Sequence, residues 1–170
     1  MSNTVGSFAA TLDELRAAVG REAFVTEWVE VTQRRIDLFA EATGDYQWIH
    51  VDPERARRES AFGGSIAHGF LTLSLLGKFY AEHMTLPFTE MGINYGLNRV
   101  RFTHPVRAGS RVRGRFLLSR LEDIEGCLQL SFTVTLEIEG QARPACVAES
   151  VVRQYYKAGG EPAPQGRASA

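Results

Sequence analysis

The sequence has little net charge and few cysteines. Its 170 residues include 19 basic and 20 acidic side chains, for a net charge of −1. Because binding to nucleic acid or to an anionic membrane depends on a basic surplus, this balance argues against both partners. The two cysteines, Cys127 and Cys146, are too few for a disulfide framework. We expect both to be buried, reduced thiols.

The sequence also lacks a long apolar run. No span reaches the roughly 18 uninterrupted apolar residues of a membrane helix. The N-terminal stretch MSNTVGSFAA has neither the basic segment nor the apolar run of a signal peptide. These absences predict a cytoplasmic protein with no membrane partner. With 44% apolar and 23% charged residues, the composition is typical of one soluble domain with its own core.

The chain is predicted to form a single domain over residues 1–157. Thr11 and Glu14 have the spacing of a capping box, so an N-terminal helical segment is expected within residues 1–22. The segment over 158–170, AGGEPAPQGRASA, has too little apolar surface to offset the entropy cost of ordering it. It is predicted to be a disordered C-terminal tail.

The middle of the chain predicts helices around a loop. A helix that Thr32 can cap is expected to end at Gly44, and a further short helix to begin at Pro53. The loop between them, from Asp45 to His50, is therefore held at both ends.

The rest of the pattern predicts an α+β fold. A strand is expected from Phe24 to Glu30, and a helix that is apolar on every side is expected to start near Gly63 and to be buried. From Asn94 onward the apolar period is two, which indicates half-exposed antiparallel strands. The last strand, Ala145 to Tyr156, is apolar on both faces and so central. We expect a sheet wrapped around the helix, with a free edge that a homodimer would cover.

Two segments contain residues that could carry chemistry. Asp45 and His50 lie five residues apart, and a carboxylate beside an imidazole can hold and deprotonate a water. Alternatively, Asp45 only caps a turn and His50 only fills space. Ser65, His68 and Gly69 lie at the start of the buried helix, where free backbone N–H groups can stabilise an oxyanion. Here the alternative is a tight turn and a hydrogen-bonded core histidine.

Other kinds of site are not indicated. The four histidines have no i, i+4 pair and no cysteine partner at ligand spacing, so no metal is predicted. Neither a P-loop nor a serine nucleophile elbow is present. Seven of the 17 arginines fall between Arg99 and Arg120. They form either the solvent face of strands or, in part, a site for the phosphates of a nucleotide-bearing carrier.

Two motifs carry a family resemblance. The segments FAEATGDYQWIHVDPERA and FGGSIAHGFLTLSLL resemble the MaoC-like dehydratase family, close to its NodN-like branch, which includes (R)-specific enoyl-CoA hydratases. The similarity extends from about Trp28 to Tyr155 and includes INYGLNRVRF and RPACVAES. The resemblance implies a hotdog fold, in which an antiparallel sheet wraps a long central helix and two subunits pair.

The resemblance also implies roles for particular residues. Asp45 and His50 match the family's catalytic acid and histidine, and Gly69 matches the glycine whose backbone N–H binds the thioester oxygen; Ser65 and His68 lie in the same oxyanion segment. The implied reaction is the addition of water to a trans-2-enoyl-CoA, which gives an (R)-3-hydroxyacyl-CoA and requires no cofactor.

Three further residues are weaker candidates for substrate contacts: Gln47, Asn94 and Arg99. Two other functions remain open at this stage. A hotdog fold can also carry a thioesterase, and the nodulation name attached to this branch suggests a non-catalytic acyl-CoA binding protein.

Overall fold

A long antiparallel sheet and one buried helix dominate the structure, a computed structural model that describes residues 8–159. The helices are α1 (Leu12–Ala18), α2 (Gln33–Thr43), α3 (Trp48–Val51), α4 (Pro53–Glu59) and α5 (Gly69–His83). The strands are β1 (Phe8–Ala9), β2 (Arg21–Val25), β3 (Val29–Glu30), β4 (Met84–Thr85), β5 (Thr89–Phe102), β6 (Arg111–Ile124), β7 (Cys127–Ile138) and β8 (Cys146–Tyr156).

The main sheet has the strand order β2-β6-β7-β8-β5, with β3 also paired to β6. All of its pairings are antiparallel. The short strands β1 and β4 form a separate parallel pair. The last strand, β8, lies between β7 and β5, as its apolar character on both faces predicted.

The core lies between α5 and the sheet. Phe79 of α5 is fully buried, and the rings of Tyr80 and Phe116 lie 5.1 Å apart. Phe24 stacks on the other side of Phe116 at 4.3 Å. Burial of each such aromatic side chain contributes about 1.5–3 kcal/mol. Along β7 the side chains alternate between buried and half-buried, so one face of that strand points at α5. The α+β hotdog architecture is confirmed.

Several predicted helix boundaries are confirmed by their caps. Thr11 and Glu14 form the capping box of α1, and the Thr32 side chain accepts a hydrogen bond from the backbone N–H of Arg35 at the start of α2. The N-terminal segment is helical only in part, because β1 precedes α1 and β2 begins at Arg21. The predicted disordered tail lies outside the described residues from residue 160 onward.

The predicted strand from Phe24 to Glu30 is interrupted. Between β2 and β3, the backbone N–H of Thr26 donates to the Gly114 carbonyl at 2.9 Å, and the Thr26 hydroxyl accepts from the Gly114 N–H at 2.9 Å. Because the hydroxyl takes the place of the Thr26 carbonyl, the chain leaves the ladder at this residue. A single strand was therefore the wrong prediction here.

Strand β5 also differs from the expectation of a half-exposed strand. Residues 91–99 are exposed on both faces, and the strand pairs only with β8 among the described elements. Its exposed apolar side chains include Met91, Tyr95 and Leu97. This long edge is the least covered part of the described sheet.

Both cysteines are free and buried, as expected from their strand positions. Among residues 8–159, no helix is both long and apolar enough to cross a membrane.

Candidate functional site

The end of α2 places Asp45. Gly44 adopts the left-handed conformation, with φ 75°, and its N–H donates to the Ala40 carbonyl. Since this conformation suits glycine, the helix stops there and the chain turns toward α5. The Asp45 carboxylate then accepts a hydrogen bond from the Gln47 N–H at 3.3 Å. More than half of the Asp45 side chain is exposed, so it can contact water or a ligand.

His50 lies on the one-turn helix α3 rather than in a loop, which corrects the prediction. The His50 N–H donates to the Gln47 carbonyl at 2.9 Å and closes this turn. The His50 side chain is buried, and its Nδ1 lies 2.7 Å from the Ile66 carbonyl oxygen. Because a carbonyl oxygen only accepts, Nδ1 carries the proton, and Nε2 of the neutral ring keeps a free lone pair.

The surroundings of His50 favour its neutral form. Burial lowers the pKa of this imidazole, and the neighbouring His68 lowers it further. The hydrogen bond to the Ile66 carbonyl and the charge of Asp45 act in the opposite direction but do not outweigh burial. At neutral pH, His50 can therefore accept a proton.

His68 packs directly on His50. The two rings stack at 3.8 Å, and Phe39 lies against the other side of His68 at 5.1 Å. His68 Nε2 lies 3.0 Å from the Asp45 carbonyl oxygen and 3.9 Å from the Asp45 carboxylate. Its Nδ1 is buried and has no partner among residues 8–159. His68 thus fixes both residues of the predicted pair.

Asp45, His50 and His68 form a compact cluster. A carboxylate oxygen of Asp45 and one ring nitrogen from each histidine all lie within 4.8 Å of one another. The sequence brought Asp45 and His50 together but gave no reason to add His68. These groups are also of the kind that binds transition metals, so the prediction that no metal is bound stays a prediction.

Gly69 is the first residue of α5. The sequence suggested a helix start anywhere from Ser65 to Gly69, but the N–H groups without an intrahelical partner are those of the first turn from Gly69 onward. A Cβ at Gly69 would lie 2.9 Å from the Phe102 ring, closer than real side chains approach. Only glycine fits here without a shift of its surroundings.

A cleft joins these groups. It has a volume of about 320 Å³, and its lining includes His50, Phe62, Gly69, Thr72 and His104. The base of His50 and the helix start at Gly69 therefore face one space. Phe102 and His104 of this cleft were not singled out from the sequence, because nothing in their local pattern marks them.

Ser65 is held by a residue that the sequence reasoning missed. Its hydroxyl donates a short hydrogen bond to the Gln33 side-chain oxygen. The Gln33 amide nitrogen donates to the His50 carbonyl at 2.7 Å and to the Asp37 carboxylate at 2.8 Å. Gln33 thus ties the catalytic turn to the segment ahead of α5. No sequence signal distinguishes this glutamine from a solvent-exposed one.

The three weaker candidates lie in different places. Gln47 is exposed at the start of α3, beside Asp45. Asn94 lies on β5 opposite Gly77 of α5, which is eight residues, or about 12 Å of helix rise, beyond Gly69. Arg99 is exposed on β5, where it pairs in register with Glu149. The structure brings only Gln47 close to Asp45.

Most of the strand arginines form ion pairs. Arg111, Arg113, Arg115 and Arg120 lie within 4.0 Å of glutamates. For these four residues, the solvent-face interpretation is sufficient. Among the described residues, Arg99, Arg101 and Arg107 have no such acidic partner, and they lie on β5 and in the turn that follows it.

Comparison with known proteins gives a consistent result. Residues 14–141 match the family of MaoC-like domains. Over 141 residues, the chain is 51% identical to 3-hydroxyacyl-thioester dehydratase Z of Mycobacterium tuberculosis, which covers 82% of this chain and 93% of that protein. It is 52% identical to nodulation protein N of Rhizobium leguminosarum bv. viciae, which covers 81% of this chain and 87% of that protein.

A solved structure shares the fold. The (R)-hydratase from A. caviae, which its title describes as involved in PHA biosynthesis, matches with a TM-score of 0.64 and 24% identity over 79% of this chain and 94% of that one. The family match covers most of the described chain, and the two curated relatives are more than half identical over nearly their whole length. The chain therefore belongs to the MaoC-like dehydratase family.

Proposed function

We propose that the protein catalyses the reversible hydration of trans-2-enoyl-CoA thioesters to (R)-3-hydroxyacyl-CoA. One observation carries the proposal: the lone pair of His50, the carboxylate of Asp45 and the helix start at Gly69 lie around one site. The reaction needs these three functions, namely a base, a group that orients water and a donor for the thioester oxygen.

His50 and Asp45 activate the water. A water held by the Asp45 carboxylate loses a proton to His50 Nε2 as its oxygen attacks C3 of the enoyl group. The hydrogen bond from Nδ1 to the Ile66 carbonyl keeps Nε2 as the basic nitrogen. The protonated ring, stabilised by the Asp45 charge, then returns a proton to C2. His68 holds Asp45 and His50 in place and does not need to change its protonation state.

The start of α5 stabilises the charge that develops on the thioester. As water adds, negative charge builds on the thioester oxygen. The free N–H of Gly69 and the positive end of the α5 dipole stabilise that charge. No acidic residue lies in the first turn of α5, so nothing there opposes an anion.

The comparisons support the substrate class and the stereochemistry. The relative from Mycobacterium tuberculosis is named for 3-hydroxyacyl thioesters, and the A. caviae structure is of an (R)-hydratase. The exposed arginines without acidic partners, Arg99, Arg101 and Arg107, are suited to the CoA phosphates. The chemistry needs no redox or metal cofactor, so we expect the activity to survive dialysis against EDTA.

A second copy of the chain is the proposed partner of β5. The strand leaves one edge unpaired among the described residues and exposes Met91, Tyr95 and Leu97. Pairing two such edges across a twofold axis satisfies both. Light scattering should give twice the 18.9 kDa chain mass, and a monomer at micromolar concentration would refute the homodimer. A cytoplasmic location completes the proposal, and fractionation of the source cells would test it.

The first experiment follows the ultraviolet absorbance of crotonyl-CoA. The wild-type protein should remove the enoyl absorbance while the thioester stays intact, and an (R)-specific partner enzyme should accept the product. In Asp45→Asn, we expect kcat/KM to fall by about 10²–10⁴-fold, because the water loses its charged acceptor.

Two results would contradict the proposal. Release of free CoA would indicate a thioesterase. If the absorbance persisted with crotonyl-CoA and also with longer enoyl-CoA substrates, a non-catalytic acyl-CoA binding protein would be the better interpretation. Circular dichroism of Asp45→Asn checks that a loss of activity is not a loss of fold.

A further inference from the structure

Two small cavities continue along α5 beyond the cleft. The first, of about 270 Å³, is lined by residues that include Leu73, Gly77, Asn94 and Leu97. The second, of about 240 Å³, shares Gly77 and Asn94 with the first and extends to Tyr80 and Gln154. Both lie between the central helix and strand β5.

The cleft and the two cavities follow one another in order. Along α5 they are lined first by Gly69 and Thr72, then by Leu73 and Gly77, and last by Tyr80. Strand β5 runs beside them in the opposite direction, from Phe102 at the cleft back to Asn94. A molecule whose reactive end lies at Gly69 can therefore extend along α5 into the last cavity. We call this path the α5–β5 groove.

The far end of the groove contains an unusual polar group. Tyr80 is 93% buried, with 7% of its surface exposed, and its hydroxyl has no hydrogen-bond partner among residues 8–159. Buried hydroxyls in folded proteins are nearly always bonded. Burial raises the pKa of the Tyr80 phenol, an effect that the nearby Ser150 hydroxyl only partly offsets. The group is therefore a protonated donor at neutral pH.

Other neutral groups surround this hydroxyl. Gln154 is buried, and its side-chain oxygen accepts from the Thr89 hydroxyl at 3.4 Å, which leaves its amide nitrogen as a donor. The Asn94 amide lies 3.7 Å from the Cβ position of Gly77. No Lys, Arg, Asp, Glu or His lines this cavity within the described part of the chain. The end of the groove thus offers hydrogen bonds without charge.

A purely structural role does not explain this arrangement. A tyrosine that only fills the core gains nothing from a hydroxyl that is desolvated and unbonded, and phenylalanine would pack there without that cost. The hydroxyl faces a cavity that is open to the groove, so a ligand atom can provide the missing acceptor.

We propose that the end of the α5–β5 groove binds an uncharged oxygen, a hydroxyl or keto group, on the distal part of the acyl chain. This inference rests on the proposed function, which places the thioester at Gly69. It specifies the substrates as oxygenated acyl thioesters, in preference to plain hydrocarbon chains of the same length.

The spacing sets the position of the oxygen. Tyr80 lies eleven residues after Gly69, about 16 Å along the helix axis, and its side chain leans back toward the helix start. An extended chain advances about 1.2 Å per bond. The oxygen is expected roughly ten to thirteen bonds from the thioester carbon.

The test compares two saturated acyl-CoA thioesters of about twelve carbons, one with a terminal hydroxyl and one without. Titration calorimetry on the wild-type protein should show about three- to tenfold tighter binding of the hydroxylated thioester, the range expected for one net hydrogen bond. In Tyr80→Phe, this preference should disappear. In Tyr95→Phe, which changes an exposed tyrosine on the neighbouring strand, the preference should remain.

Thermal unfolding separates the proposed role from a structural one. Because Tyr80→Phe removes an unbonded hydroxyl, its Tm should stay equal to that of the wild type or rise. A Tm several degrees lower would show that the hydroxyl stabilises the fold, and the inference would be wrong. Equal affinity of the wild type for the two thioesters would also overturn it.

The binding measurement does not depend on turnover. If crotonyl-CoA is not hydrated but the hydroxylated thioester is still preferred, the proposed function fails and this inference stands. If crotonyl-CoA is hydrated and the two thioesters bind equally, the proposed function stands and this inference fails.

Discussion

The two halves of α5 each contain a glycine beside β5, but the two glycines do different things. At Gly69, an added Cβ would lie 2.9 Å from the Phe102 ring, whereas at Gly77 it would lie 3.7 Å from the Asn94 amide. The second distance is an ordinary van der Waals contact. Gly69 is thus required by its surroundings, and Gly77 is required only if the space beside it is used.

The groups around the two glycines differ as well. Near Gly69 lie titratable side chains, His50 and His68, and the free N–H groups of the helix start. Near Gly77 lie only neutral donors, such as the Asn94 amide. One helix therefore separates a region suited to proton transfer from one suited to recognising an uncharged chain. Three predictions test this difference, in order of decreasing effect.

The largest effect is expected from Gly69→Ala. The new methyl must displace either the Phe102 ring or the first turn of α5, and a shift of about 1 Å at a catalytic group can cost 10²-fold in rate. We expect kcat/KM for crotonyl-CoA to fall about 10²-fold, together with a lower Tm. Steady-state kinetics and thermal unfolding measure the two effects, and activity within threefold of the wild type would show that the Gly69 N–H is not the oxyanion donor.

A smaller effect is expected from acid. Because burial lowers the pKa of His50 below its usual 6.5, the basic form should persist down to about pH 6.5 and be lost at lower pH. The kcat/KM for crotonyl-CoA should therefore be level from about pH 6.5 to 8 and fall about tenfold per unit below the His50 pKa.

The free energy of unfolding should follow the same sign. The unfolded chain binds this proton more readily than the folded chain, so the contribution of neutral His50 is present above pH 6.5 and is lost as the pH falls below it. Urea unfolding at several pH values gives the control. An acid limb centred above pH 6.5 would mean that another group is the base.

The smallest effect is expected from Gly77→Ala. The methyl meets only the Asn94 amide at contact distance, and alanine is favoured over glycine in a helix interior by about 0.5–1 kcal/mol. The Tm should rise by about 2–4 °C, opposite in sign to Gly69→Ala. Since the methyl narrows the α5–β5 groove, the affinity for the twelve-carbon thioester should fall a few-fold. A lower Tm would show that Gly77 is also sterically required.

The sequence predicted the parts of the fold where one pattern repeats along an element. The alternation from Leu128 to Ile138 and the caps at Thr11, Thr32 and Gly44 are local signals, and the structure confirms them. The strand through Thr26 failed, because its outcome depends on a hydroxyl that bonds to Gly114, 88 residues away.

The same distinction holds for the site. Asp45 and His50 could be identified because both lie in one motif between two predictable helix ends. The stacking of His68 on His50 and the hydrogen bonds of Gln33 join segments that are far apart in sequence. No spacing rule reports such contacts. The exposure of β5 was missed for a related reason, since its apolar side chains follow a strand pattern whether or not the rest of the chain covers them.

The open edge of β5 ties the behaviour of this protein to its concentration. Fourteen residues of backbone on this strand have one side free to bond with another chain, and apolar side chains lie along it. A newly made chain with such an edge is a template for disordered aggregation as well as for correct pairing. Aggregation of strand edges becomes faster as chains accumulate. Overproduction at lower temperature, or co-expression that speeds correct pairing, should therefore raise the yield of folded protein more than any change on the ion-paired face of β6 and β7.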